Sequence, residues 1–217
     1  MKTSALFNLG IGALLTFTSL QCSDNSTRNE TGNSQQQENM EQIIDAIPSD
    51  DLSEAEYNSL LFMIEEEKVA RDSYVFFGNK YGGNVFLNIQ KSEQTHMDAI
   101  GYLLERYEIS DPSTLTTFGE FENADLKTLY NDLTGVGSVS WVDALKIGAL
   151  IEEVDILDLQ RIVENDVDNA DLAAVYANLI SGSKNHLKAF VKNLKNQGVT
   201  YIPQLMTQTD FNLIING

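Results

Sequence analysis

The chain has two histidines, and each falls where a helix would place it beside acidic side chains. Glu93 and His96 are three residues apart, so on a helix both side chains leave from one face. Glu67, Glu152 and His186 interrupt other apolar helical stripes in the same way. A buried ionised carboxylate is costly unless it is paired or coordinates a cation, and several together repel one another. Because oxygen and imidazole ligands suit iron or manganese, this pattern predicts a metal site, with two ions, most simply of iron.

These polar positions are also expected at one height. Glu67 lies about 13 residues before the end of its helix, which a glycine turn closes, and Glu93 with His96 lies about 10 to 13 residues after the next helix begins. At ~1.5 Å per residue, all three arrive roughly 20 Å from that turn. Glu152 and His186 repeat the arrangement around a second turn. Two independent helix pairs therefore direct acids and a histidine inward at mid-helix.

Four long helices are predicted to position these residues. The first opens at Ser53 and Glu56, which have the spacing of a capping box, and Gly82-Gly83 ends it. The second covers about 85–107, the third starts near Ser140, and the fourth covers about 168–198. A short helix is expected near residues 123–133. The C-terminal segment, 199–217, is expected to be an irregular cap that packs on the bundle through Tyr201, Ile202, Phe211 and Ile214.

The connections predict the fold class. Short turns make helices one and two, and helices three and four, antiparallel pairs, and a connection of about 30 residues joins the pairs. Two hairpins with one long crossover is the connectivity of a ferritin-like four-helix bundle, an all-α fold.

The motifs resemble known metal-binding helices. The segment Glu67-x-x-Ala70-Arg71-x-x-Tyr74 is similar to the first metal-binding helix of rubrerythrin-type ferritin-like proteins, and Ser92-Glu93-Gln94-Thr95-His96 to the following Glu-x-x-His helix. With residues 151–155 and 182–187, the chain from about Leu52 to Leu205 resembles an uncharacterised bacterial and archaeal ferritin-like family. The resemblance implies that Glu67, Glu93, His96, Glu152 and His186 are ligands of two metal ions.

One ligand of that pattern is missing. The full di-iron pattern has Glu-x-x-His on the fourth helix, whereas Ser183 stands at the Glu position here. Asp155, one turn beyond Glu152, is a candidate sixth ligand, and a water held by Ser183 is another. A weak or empty second metal position is the third alternative.

Neighbouring acids leave the helix phase open. Glu153 competes with Glu152 as a ligand, and Glu66 replaces Glu67 if the phase is shifted. Glu65 and Glu66 are otherwise expected on a solvated face. Arg71 pairs either with an acid near the site or with one at the surface. No role is predicted for the tyrosines, which are expected in the core.

The N-terminal region predicts export. Residues 1–21 have the positive start and apolar run of a signal peptide. Cys22, the one cysteine, is the predicted lipid attachment of a cell-envelope lipoprotein, although Gln21 departs from the usual small residue; a secreted or periplasmic soluble protein is the alternative. Residues 22–50 are polar and read as a disordered tether, which leaves 51–217 as the helical domain.

Charge and ligand pattern together favour one class of function. The chain has 14 basic residues, or 13 once Lys2 leaves with the signal, against 32 acidic ones, a formal charge of −19. Such a protein repels nucleic acid. The leading hypothesis is a di-iron oxidoreductase, ferroxidase- or peroxidase-like, that acts on ferrous iron or on peroxide, with oxygen or peroxide as oxidant. The alternatives are non-catalytic metal capture or storage, and a structural interaction module with a vestigial site; a homodimer is compatible with each.

Overall fold

The computed structural model describes residues 39–217, and every regular element in that range is helical. The predicted signal peptide and Cys22 lie outside the described residues, as does most of the predicted tether. The seven helices of the described part are listed here in chain order. They are α1 (39–46), α2 (Glu54–Tyr81), α3 (Asn84–Arg106), α4 (Ala124–Gly137), α5 (Trp141–Asn165), α6 (Ala170–Asn196) and α7 (Gln208–Asn216).

The ends of the long helices follow from local chemistry. Ser53 and Glu56 form the predicted capping box at α2, in which each side chain accepts a hydrogen bond from the other's backbone N–H. Gly82 and Gly83 turn the chain into α3 at φ values of 71° and 87°, which favour glycine. At Gly83 a Cβ would lie 2.4 Å from the Trp141 ring, so the turn also requires a residue without a side chain. Ser140 caps α5 by accepting from the backbone N–H of Asp143.

The four long helices pack as two pairs that face each other. Near the first turn Gly78 faces Leu87, and farther away Glu67 meets His96, so α2 and α3 are antiparallel. Helices α5 and α6 are antiparallel as well, since Gly148 faces Phe190 and Asp155 meets Ser183. The pairs contact through α2 with α5 and through α3 with α6. A crossover from α3 to α5 includes a 3-10 turn, Pro112–Leu115, and α4, which packs on α2 and α5.

The apolar interior is divided into two clusters. The first lies toward the Gly82-Gly83 turn and contains Tyr74, Phe77, Phe86 and Phe190 at its centre. The second lies toward the other end. Its members include Leu60, Met63, Ile100, Leu159, Leu172 and Tyr176. On α2, α3 and α6 the residues between the clusters are the polar ones singled out from the sequence. On α5, Glu152 and Asp155 meet residues of that level but lie between Ile151 and Ile156 of the first cluster, so a polar layer lies between two apolar cores that Phe62 also connects.

Both ends of the described chain differ from expectation. Residues 39–46 are helical, and Met40 and Ile44 are buried in the second cluster, so ordered structure begins before the predicted boundary at residue 50. The expected irregular cap is wrong in part, because Thr207 caps a helix, α7. Tyr201 and Phe211 are buried as predicted, whereas Ile202 is exposed. Within residues 39–217, no helix combines the length and apolar character needed to cross a bilayer.

Candidate metal centre

The polar layer brings the predicted ligands of four helices into one cluster. Glu67 comes from α2, Glu93 and His96 from α3, Glu152 from α5 and His186 from α6. The three glutamates are each 1% exposed, and both histidines are also buried. Of the described residues, Glu93, His96 and His186 form a group whose ligand atoms all lie within 4.8 Å of one another. The structure thus contains a candidate metal-binding group of Glu and His.

Glu93 occupies the middle of this cluster. Its Oε2 lies 2.9 Å from Nδ1 of His96, and its Oε1 lies 2.9 Å from Nδ1 of His186. Each imidazole also meets a second carboxylate: Glu67 Oε2 lies 3.1 Å from His96 Nδ1, and Glu152 Oε2 lies 3.4 Å from His186 Nδ1. The two rings are stacked with centroids 5.4 Å apart. The cluster therefore has two similar halves that share Glu93. Each half contains one imidazole and one further glutamate.

Surrounding groups fix the orientation of these side chains. His186 Nε2 lies 2.9 Å from Ser92 Oγ, which leaves Nδ1 for the cluster. On the other imidazole, Nε2 of His96 faces the backbone of α6 at Gly182, where a Cβ would lie only 2.4 Å away. Tyr74 donates its hydroxyl hydrogen bond to Glu152 Oε1. Such second contacts are what hold metal ligands in one rotamer and present one nitrogen.

Asp155 and Ser183 meet at the edge of the layer. The hydroxyl of Ser183, at the position of the missing glutamate, is in hydrogen-bond contact with Oδ2 of Asp155 and lies 2.9 Å from the carbonyl oxygen of Leu179, so its single proton is shared between these two acceptors. Asp155 Oδ1 is buried and has no hydrogen-bond partner. The serine therefore holds the one carboxylate that the sequence offered as a substitute ligand.

Several buried donor and acceptor atoms converge without satisfying one another. Glu67 Oε1, Glu93 Oε1 and His186 Nδ1 lack a hydrogen-bond partner of acceptable geometry, although the last two lie 2.9 Å apart. Buried polar atoms in folded proteins are almost always paired, so such a concentration of unpartnered atoms is typical of a cluster that binds another group. The donor set and these unpartnered atoms fit divalent metal ions.

Protonation balances the charge of this cluster when no cation does. Burial lowers the pKa of His186, but the carboxylates of Glu93 and Glu152 outweigh this and raise it to about 10. The pKa of His96 is raised well above its usual range, because Glu67 and Glu93 outweigh the effect of burial. For Glu152, burial and the nearby Glu93 charge raise the pKa to about 7. Protons therefore occupy the very atoms that a metal would use.

Four acids outside the cluster bind backbone N–H groups of the connecting segments. Glu153 accepts from the backbone of Gln204, Leu205 and Met206 and from the Tyr201 hydroxyl. It is therefore bound to the C-terminal segment, whereas Glu152 faces the cluster. Three further carboxylates bind other segments in the same way. They are Glu56 with Asp168 and Asn169, Glu65 with Glu122 and Asn123, and Asp72 with Gly119.

The expectation of a solvated face for Glu65 and Glu66 is wrong, since they are 3% and 5% exposed. Helix α4 and the crossover cover that side of α2. Arg71 pairs with a buried acid and not with one at the surface: its Nε and one terminal nitrogen donate to Asp72, while the other terminal nitrogen donates to Gln94. No local signal in the sequence marks these acids as bound to backbone.

Comparison with known proteins places this arrangement in a family. The chain is 46% identical over 178 residues to the Uncharacterized protein MJ0754 of Methanocaldococcus jannaschii, an overlap of 82% of this chain and 96% of the relative. The crystal structure of hypothetical protein MJ0754 superposes with a TM-score of 0.76 and covers 79% of this chain and 97% of that one. Residues 56–217 match the model of the uncharacterized protein domain DUF2202. The chain therefore belongs to the DUF2202 family.

Proposed function

We propose that this protein is a ferritin-like four-helix bundle that binds two metal ions, of iron, in its polar layer. The connectivity supports the proposal, because two antiparallel helix pairs joined by one long crossover are typical of ferritin-like folds. The single observation that carries it is the position of Glu93 between two buried imidazoles, with Nδ1 of each 2.9 Å from one of its oxygens. A carboxylate so placed would bridge two ions.

Each half of the cluster would hold one ion. His96 and Glu67 would bind the first, His186 and Glu152 the second, and Glu93 both. Asp155 would supply a sixth ligand through its unpartnered Oδ1. Carboxylate and imidazole ligands suit iron and also manganese. The proposal is for iron because ferrous ions readily give one electron each to oxygen or peroxide, which is the activity proposed for this site.

The proposed activity is that of a di-iron oxidoreductase on ferrous iron or on peroxide. Two ferrous ions would supply the two electrons that, with two protons, reduce hydrogen peroxide to two waters. The chain's own residues would position and protect that chemistry. The two apolar clusters exclude water from above and below the layer, and Tyr74 fixes Glu152 by its hydrogen bond. In the metal-free protein Glu152, whose pKa is raised to about 7 by burial and by Glu93, can hold a proton near neutral pH, and a metal ion bound at this carboxylate would replace that proton.

Metal capture without turnover is the second candidate. Ser183 replaces a glutamate of the full pattern, and it holds Asp155 by one carboxylate oxygen. A centre with five ligands and a restrained sixth would bind iron and react slowly. Export to the cell envelope, with a lipid on Cys22, is part of both proposals and would place the site where cations enter the cell.

Metal analysis with anaerobic ferrous titration tests the proposal. The full chain, purified without chelators, should bind close to two irons, and His96→Ala or His186→Ala should each remove about one. Asn185→Ala, an exposed neighbour of His186, is the matched control and should bind as the parent does. Unchanged binding in both histidine variants would refute the metal centre. Oxygen or peroxide consumption on adding ferrous iron separates the oxidoreductase from capture.

A further inference from the structure

A small apolar cavity lies beside the polar layer, where α4 covers α2 and α5. Its volume is about 20 Å³, and the surface that it presents is apolar. Aliphatic side chains from all three helices form that surface. They are Val69 and Ala70 of α2, Leu129 and Leu133 of α4, and Ile151 and Val154 of α5.

Two acids also line the cavity, but their carboxyl groups have partners elsewhere. Glu66 shares a hydrogen bond with Asp158 of α5. Asp155 is in contact with Ser183 of the polar layer through Oδ2, and its Oδ1 is the atom offered above as a sixth ligand. Asp155 therefore lies at the boundary between the cavity and the polar layer.

The exposure of the lining side chains shows where the cavity meets solvent. Leu129 is half-buried, whereas the other five aliphatic side chains are at most 6% exposed. The outer edge is therefore at Leu129 of α4, and the inner edge is at Asp155 and at Ala70, which lies one helical turn from Glu67. The way from one edge to the other is lined by aliphatic side chains.

Volume and surface together limit what the cavity can hold. About 10–15 Å³ is enough for one molecule of the size of water, but a water also needs two or more polar partners. Apolar walls offer none, and they leave the charge of a cation uncompensated. Cavities lined by aliphatic side chains stay dry and take up apolar guests such as xenon. A small, uncharged, apolar molecule is therefore the occupant that fits.

We propose that this cavity binds dioxygen and is the place from which the oxidant reaches the polar layer. The role as oxidant rests on the proposed function, whereas the binding of the gas does not. Dioxygen fits better than hydrogen peroxide, because the walls would leave both hydroxyl groups of peroxide without hydrogen bonds. In the reaction, dioxygen takes one electron from each of two ferrous ions and two protons from water, and it leaves as hydrogen peroxide.

Methyl NMR of the metal-free full chain under dissolved oxygen tests the cavity without iron. Dioxygen is paramagnetic and speeds the relaxation of methyl groups near it. We expect the methyl groups of Leu133 and Ile151 to relax faster under oxygen than under nitrogen. The increase should exceed that of Ile100 and Leu159, which are fully buried in the second cluster.

A variant that fills the cavity should remove this excess. Val154→Ile adds one methyl group to the lining. Val163→Ile is the matched control, because it makes the same change at a half-buried position of the same helix, away from the cavity. If circular dichroism shows that Val154→Ile does not fold, Leu129→Phe fills the space from α4 instead.

Three results would overturn the cavity as a dioxygen site. The first is an equal effect of oxygen in the two clusters, and the second is an excess that persists in the variant with the filled cavity. The third is a nuclear Overhauser contact between bound water and the methyl groups of Leu133, which would assign the cavity to water.

Oxygen consumption by the iron-loaded chain separates this inference from the proposed function. Val154→Ile should bind iron as the parent does and consume oxygen several-fold more slowly at low oxygen concentration. An unchanged rate with normal iron binding would refute the approach through this cavity and leave the metal centre intact. If the parent binds no iron, the proposed function fails, and the methyl experiment still decides whether the cavity binds dioxygen.

Discussion

Gly182 is the residue at which α6 makes room for the imidazole of His96. A Cβ added there would lie 2.4 Å from Nε2 and 2.7 Å from Cε1 of that ring, closer than real Cβ contacts. The ring is buried and is held from the other side by Glu67 and Glu93. Gly182→Ala should therefore displace a candidate metal ligand without changing any ligand itself.

Two opposed effects set the size of the change in stability. Alanine in place of glycine within a helix stabilises by about 0.5–1 kcal/mol. Overpacking a core costs about 1–3 kcal/mol, and the ring must move by roughly 1 Å to reach an ordinary contact distance. We expect Gly182→Ala to lower the free energy of unfolding of the metal-free protein by about 1 kcal/mol. Metal affinity should fall about 10–100-fold, the range found when contacts that orient a ligand are changed.

Gly101→Ala is the matched control, since the nearest atom to a Cβ there, Cδ1 of Ile64, is 4.0 Å away. It should stabilise α3 and leave metal affinity unchanged. Urea unfolding of the metal-free variants and ferrous or Co²⁺ titration of each give the two quantities. If Gly182→Ala were as stable as Gly101→Ala and bound metal like the parent, His96 would not lie against α6 and the reasoning on the site would be refuted.

Three further predictions concern protons and the acids that bind backbone. Metal binding to the polar layer at pH 7 should release protons, because the raised pKa values of His96 and His186 keep both imidazoles protonated without metal. The metal affinity should therefore rise with pH. Calorimetry in two buffers of different ionisation enthalpy measures the number of protons released, and equal heats in both buffers would contradict the prediction. Glu153→Gln should destabilise by about 2–4 kcal/mol in urea unfolding, because an amide group would face donors that now meet a carboxylate, and a loss below about 0.5 kcal/mol would argue against that role. Burial raises the pKa of Glu56, but backbone hydrogen bonds outweigh this effect and hold the pKa below the ordinary value of 4.5. The stabilisation by this carboxylate is therefore present above pH 4.5 and is lost as the pH falls through the lower pKa of the folded state. The difference in stability between the parent and Glu56→Gln should shrink on acidification, as urea unfolding at pH 7 and pH 3 would show.

The helices and the convergence of the inner polar residues were predictable because they follow from the period of one helix. Ser53 and Glu56 identified a helix start through a hydrogen-bond pattern that spans three residues. The heights of Glu67 and His96 relative to the glycine turn needed only the rise per residue, and the two side chains do meet. Such features depend on local geometry, which the sequence carries directly.

The roles of Glu65, Glu66 and Glu153 were not predictable in the same way. Their surroundings come from the crossover and the C-terminal segment, whose paths have no periodic pattern. Two adjacent acids can both be buried only because α2 is covered on more than one side, which is a property of the assembled fold. Helix α7 did leave a signal, since Thr207 and Asp210 have the spacing of a helix cap and make its hydrogen bonds.

The polar layer that divides the apolar interior has a consequence for how the protein unfolds. The two clusters are joined by the four helices, by Phe62, which packs against both, and by the layer. Without metal, the ion pairs of the layer gain little net free energy, because the cost of desolvating buried charges offsets their attraction. Metal ions bound to ligands from all four helices would tie the two halves into one cooperative unit. We expect the loaded protein to unfold in a single transition, and the metal-free protein to show two groups of amide protons with different opening free energies in hydrogen exchange, one for each half. The centre would then determine the cooperativity of the domain as well as its chemistry.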